Sequence, residues 1–258
     1  MPVLGIAIGV DAIGFVAMLV VALLFGGSVP GGTTIALALV AGLCSVGGIL
    51  GLYTGLAVGR MGVVAPVTGL IAAILPVAVG ILSDGLPTTP VLVGIGAALV
   101  AVVLVSMTTD PGGRPSGIEY GLIGGLGLGL FNVAVGAFPD EQVAWQLATI
   151  KLGALVPIVL IVLLTRRPWR VPRPMAPAVA AIALLDLAGN GLYVLATQAG
   201  RLDVAATLSS LYPVTTVILA VALLRERVTR VHVLGIVMAG LAIVLIAGGS
   251  AAPPTSPA

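Results

Sequence analysis

Two stretches, "GRMGVVAPVTGL" (Gly59–Leu70) and "GRLDVAATLSSL" (Gly200–Leu211), lie 141 residues apart in the chain. In the same register, "LVGIGAALVAVVLVS" (Leu92–Ser106) falls on "VLGIVMAGLAIVLIA" (Val233–Ala247) without a gap. Matches of valine with leucine count for little in apolar sequence. The shared Gly-Arg, Gly94 with Gly235, and Ala98 with Ala239 count for more, since all fall in one register. The chain reads as an internal duplication. The first repeat spans 1–107 and the second 118–249, with a linker at 108–117 and a Pro-rich tail at 250–258.

The repeated units are made of bilayer-soluble sequence. Of 258 residues, 59% are hydrophobic and only 8% charged, with a mean hydropathy of +1.26. A soluble domain carries about a quarter charged residues, so this chain lacks the polar surface of one. The apolar runs are about 20 residues long, the length that crosses a hydrocarbon core as a helix. Nine such spans are expected, at 3–26, 34–57, 62–82, 89–107, 118–138, 142–164, 175–199, 204–224 and 231–249. Short breaks rich in Gly, Pro and Arg separate them, such as "TTDPGGRPSG", "RRPWRVPRP" and "RERVTR". The runs do not alternate every second residue, as barrel strands would. The fold class is therefore an all-α integral membrane protein built as two inverted repeats, four spans followed by five. The first span has no basic leader and carries Asp11, which argues against a cleaved signal peptide. The single cysteine, Cys44, excludes an internal disulfide.

The net charge of +2 reflects topology, and nothing in it points to nucleic acid. Counting connections by parity, one side collects Arg60, Arg114, Arg166, Arg167, Arg170, Arg173, Arg225, Arg227 and Arg230. The other side holds only Arg201. Positive charge stays in the cytoplasm, which puts the N-terminus inside and the C-terminus outside a multi-pass protein of the cell membrane.

Enzyme motifs are absent. The lone histidine, His232, cannot build a multi-His metal site, and neither a nucleophile elbow nor a P-loop occurs. An intramembrane aspartyl enzyme would need two facing aspartates; Asp11 and Asp186 both lie in apolar runs, but no protease motif surrounds them. No cofactor and no metal are expected.

Chemistry is concentrated in "LLDLAGNGLYVLATQAG" (Leu184–Gly200). Asp186, Asn190, Tyr193 and Thr197 step by four, three and four residues, so one helix face holds them all. Lys151 lies near the middle of the preceding span, and adjacent helices on a short loop pack antiparallel. Equal depth makes Lys151 and Asp186 an ion pair. Such a pair either fixes helix register or faces a watered pathway, and intramembrane ionisable groups default to function. Asn132, Gln146 and Tyr212 are weaker pathway candidates. Pro66, Pro76 and Pro213 are expected to kink spans at matching repeat positions. Gly47, Gly51, Gly55 and Gly59 form one small-residue stripe, and Gly121, Gly125 and Gly129 another, both suited to close helix approach.

The segment "LSSLYPVTTVILAVALLRERVTRVHVLGIVMAGLAIVLI" resembles the closing signature of EamA-like carriers of the drug/metabolite transporter superfamily. Its turn reads Arg225-Glu226-Arg227, with arginine where the family has glycine. "GVVAPVTGLIAAILPVAVGILSDGLPTTPVLVGIGAALVAVVLVS" is similar to the matching first-half signature, with Ser83-Asp84-Gly85 at its turn. The resemblance implies two inverted five-helix repeats and alternating access. It also implies a small-molecule substrate (a metabolite, amino acid or drug), a lipid bilayer as surroundings, and export as the direction. A truncated, non-transporting paralogue or helper subunit is the competing class. The first span here matches the family's second helix, so the family's first helix has no counterpart in the sequence. A start further upstream accounts for this, with about 30 additional residues and one more apolar run; a homodimer partner supplying that surface, or a decayed gene, are the alternatives.

The charge bias makes a direct prediction. A reporter fused after Ala258 is expected to behave as extracytoplasmic, and one placed within "RRPWRVPRP" as cytoplasmic. The reverse pattern would show that loop arginines do not set orientation here.

Overall fold

In a bilayer, no water is available to satisfy backbone N–H and C=O groups, so an apolar run resolves into a helix that bonds itself. Every regular element among the described residues is helical. The structure is a computed structural model that describes residues 3–106, 115–138, 142–166, 169–212, 214–215, 218 and 229–250. Among the described residues nine α-helices are seen: α1 Val3–Phe25, α2 Gly32–Val58, α3 Met61–Asp84, α4 Thr89–Ser106, α5 Ile118–Gly136, α6 Val143–Thr165, α7 Ala176–Ala199, α8 Leu202–Ser209 and α9 Arg230–Ser250. A 3-10 turn, Arg173–Met175, leads into α7. Eight of these helices are long and apolar enough to cross a membrane. The expected eighth span, 204–224, is described mainly through α8, and Pro213 lies outside the described residues. Pro66 and Pro76 sit inside α3, which continues through both, and Pro157 inside α6. Each removes one backbone donor from its helix.

Shifting the helix bounds by the repeat interval of 141 residues maps one half of the chain onto the other. Gly32–Val58 lands on 173–199, where α7 and its leading turn lie; Met61 lands on the start of α8 and Thr89 on the start of α9. The bounds of α1 land within one residue of those of α6. The same interval carries α5 outside residues 1–258 in either direction.

The helices group into two compact units that each draw on both halves of the chain. Unit 1 comprises Met1–Gly47 and Leu130–Ala199; unit 2 comprises Gly48–Gly129 and Gly200–Ala258. Helices α2 and α5 thus each contribute a part to both units.

In unit 1, α1 packs along α6 and α7. Half of α2 also lies on α6, where a Cβ added at Gly42 would come within 2.2 Å of the Ile150 carbonyl oxygen and one at Gly153 within 2.6 Å of the Leu39 oxygen. Gln142 Nε2 donates to Ser28 Oγ at 3.1 Å, tying the start of α6 to the α1–α2 turn.

In unit 2, α4 packs along α9, and α3 against α8 and α4. The α4–α9 contact is reciprocal: Gly94 abuts Ile246, and Gly235 abuts Val105. The 141-residue shift carries Gly94 to Gly235 and Val105 to Ile246, so the two contacts exchange, as they do across a two-fold axis. Arg201 ties the α7–α8 turn to the α3–α4 turn. It donates to the carbonyls of Asp84 and Gly85, and through Nε (3.1 Å) and Nη2 (3.0 Å) to the wholly buried Asp203. The bond to Asp203 pushes the Arg201 guanidinium above its ordinary range, so the guanidinium stays charged.

The glycine faces differ in detail from the four-residue stripes expected. On α2 the face against α5 is Gly48, Gly51, Gly55 and Gly59, which meet Leu128, Gly124, Tyr120 and Gly117; nothing lies within 4 Å of a Cβ at Gly47. A helix turns every 3.6 residues, so a strict step of four drifts off the contact line. Gly121, Gly125 and Gly129 of α5 instead receive Val67, Ile71 and Leu75 of α3.

These contacts predict opposite outcomes for one added methyl group on α2. Gly42→Ala meets backbone atoms that cannot rotate away and is expected to cost about 1–3 kcal/mol. Gly47→Ala is expected to be neutral. Thermal unfolding of the detergent-purified variants separates the two, and equal melting temperatures would contradict the packing described.

Candidate functional site

Three helices of unit 1 bring their only charged side chains to one point. Helix α1 contributes Asp11, α6 Lys151 and α7 Asp186. Lys151 Nζ donates to Asp11 Oδ1 at 3.0 Å and also to Asp186 Oδ2. The lysine side chain is 7% accessible, Asp11 13% and Asp186 36%, so Asp186 is the member open to approach.

Local sequence explains the arrangement. Gly14 follows Asp11 by three residues, on the same face of α1. A Cβ there would lie 3.2–3.4 Å from the Cδ, Cε and Cγ of Lys151, so the glycine leaves room for the lysine stem. On α7 the buried residues Val179, Ala183 and Leu187 mark the inward line, and Asp186 borders it. Asn190, one turn on, donates through Nδ2 to the Asp186 backbone oxygen at 2.9 Å and to Oδ1 at 3.1 Å. Asp186 therefore has one oxygen on Lys151 and the other on Asn190. An ionised carboxylate only accepts hydrogen bonds, which matches these donors.

The remaining candidates are placed as follows. Tyr193 is buried and its hydroxyl donates to the Asn132 backbone oxygen at 3.4 Å, a contact with the main chain of α5 and not with the asparagine side chain. Thr197 Oγ1 bonds back to the Val194 oxygen at 2.8 Å, the backbone habit of hydroxyls in helices. Gln146 is buried on α6, 1% accessible. Tyr212 belongs to unit 2 and is half exposed. The site residue that sequence reading missed is Asp11. It stood out only as an acid in an apolar run; the structure gives it Lys151 as a partner 140 residues away.

The family model of the EamA-like transporters matches residues 115–248, just over half of the chain. The chain belongs to the EamA-like transporter family. This EamA-like protein is thus an integral membrane protein of the drug/metabolite transporter superfamily, and its general role is that of a membrane transporter. No curated protein matches the chain. Among solved structures, one crystal structure superposes with a TM-score of 0.78 over 97% of this chain and 89% of that one, at 16% identity. Likeness at that identity shows the fold alone.

The charge cluster predicts a pattern in stability. Lys151→Met leaves two carboxylates facing each other in an apolar bundle and is expected to destabilise by about 3–5 kcal/mol. Adding Asp11→Asn and Asp186→Asn removes the stranded charges and is expected to recover most of the loss. Melting temperatures of the single and triple variants test this; a triple variant no more stable than the single would mean that the lysine acts through packing instead of charge.

Proposed function

We propose that the protein is a carrier of small metabolites, amino acids or drugs, an exporter in the cell membrane that works by alternating access and without catalysis. The observation that carries this reading is Lys151 held between Asp11 and Asp186 within three packed spans. An unpaired charge at the bilayer centre costs roughly +3 kcal/mol on insertion scales, and apolar helices need no charge to associate. A charged cluster at that depth is retained for what it binds.

Alternating access needs two related halves that exchange conformations. The common interval between α1–α4 and α6–α9, and the reciprocal α4–α9 contact, support an inverted duplication of that kind. In this scheme Asp186, Asn190 and Lys151 meet the solute, while Tyr193 and Thr197 complete the α7 face. The N-terminus is cytoplasmic and the C-terminus external, following the arginine distribution.

Transport in proteoliposomes, measured against a panel of metabolites, amino acids and drugs, tests the proposal. Lys151→Ala and Asp186→Ala are each expected to abolish uptake of any solute the wild-type protein moves, while both variants still insert in the membrane. Wild-type rates in both would remove the cluster from the pathway.

A further inference from the structure

We infer that the Asp11–Lys151–Asp186 cluster is a cation site, and that the solute it receives carries a protonated or quaternary amine. The inference deepens the proposed function and rests on its placing of the cluster on the solute path.

Charge counting carries the step. A pair that only fixed helix register would close at zero charge, with one lysine and one aspartate. Here there are two carboxylates to one ammonium. On α1, α6 and α7 the only other ionisable side chain is Tyr193, which is neutral as a phenol. Helix α2, whose first half packs on α6, carries no charged residue at all. With both carboxylates ionised the cluster carries one negative charge among apolar spans, and a bound cation cancels it. Neither Asn190 nor the neighbouring hydroxyls can supply one, because amides and hydroxyls give hydrogen bonds without charge.

Geometry selects Asp186 as the carboxylate that takes the cation. It is the most accessible of the three, whereas Asp11 and Lys151 are nearly enclosed. The repeat relation gives the same answer independently. Under the 141-residue shift Asp11 maps to Leu152 and Lys151 to Val10, so the Asp11–Lys151 contact falls almost on itself. Lys151 and Asp186 map to Val10 and Ser45, where no ion pair can form. When the halves exchange conformations, the first contact persists and the second is free to open. An amine then replaces Lys151 on Asp186, and Lys151 remains with Asp11. A proton is the other source of the same positive charge.

Calorimetry on the purified full-length protein in detergent tests this, with benzyltrimethylammonium and phenylacetate as probes of similar size and opposite charge. The wild-type protein is expected to bind the ammonium and not the carboxylate. Asp186→Asn, which preserves shape, is expected to weaken ammonium binding at least tenfold with an unchanged melting temperature. Lys151→Met, where it folds, is expected to bind the ammonium as tightly as wild type or tighter. If no ammonium binds, but wild type takes up more protons than Asp186→Asn on acidification, the cation is a proton and the amine solute is overturned. Phenylacetate binding that depends on Lys151 would overturn the inference. So would the absence of both ammonium binding and any difference in proton uptake. Transport lost in the alanine variants beside Lys151-dependent phenylacetate binding would leave the carrier reading intact and remove only the cation. Ammonium binding beside unaffected transport would do the reverse.

Discussion

An ammonium group inside a bilayer must be surrounded by acceptors, and Lys151 meets that demand with two carboxylates from two other helices. The requirement fixes more than one contact. Asp11 is eleven residues into the chain and Asp186 belongs to the seventh span, so α1, α6 and α7 must converge at one depth. Gly14 removes the side chain that would stand where the lysine stem passes. Asn190 holds the second oxygen of Asp186 and thereby its rotamer. A change at any of these positions acts first through the charge it leaves uncovered, because uncovered charge in hydrocarbon costs more than lost apolar contact.

The rest of the packing follows a different rule. Lipid tails are as apolar as leucine, so helices in a membrane gain little by hiding leucine from them; close approach of backbones through small residues takes its place. Helix α5 shows this on two faces at once. One admits α2, with Gly124 against Gly51 and Gly117 against Gly59, and the other admits the valine, isoleucine and leucine of α3 onto Gly121, Gly125 and Gly129. Large apolar residues such as Leu184, Leu185 and Leu192 point away from the buried line of α7, as expected where the surrounding medium is itself apolar.

What could be read from the sequence was what depends on neighbours along the chain. Span positions follow from run length, and Lys151 with Asp186 follows from two sequential helices joined by a short loop. Asp11 could not be paired that way, because its partner sits on the other side of the duplication. The one available signal was the 140-residue separation, a single residue short of the repeat interval, which places the two at nearly equivalent points of two related helices. The glycine stripe slipped from Gly48 to Gly47 because a step of four was imposed on a period of 3.6. Polar spacing does not say where each group bonds: the Thr197 hydroxyl turns back on its own helix, and Asn132 contributes its backbone oxygen to Tyr193.

Scaffold and chemistry obey different symmetries in this chain. The helix starts, the Gly-Arg turns and the α4–α9 contacts all return after 141 residues. The charges do not: the counterparts of Asp11, Lys151 and Asp186 are Leu152, Val10 and Ser45. The equivalent positions in the other half do without those charges. Their cost in the membrane falls on one set of equivalent positions only. In the alternating-access scheme proposed above, that asymmetry lets a bound solute favour one state over the other.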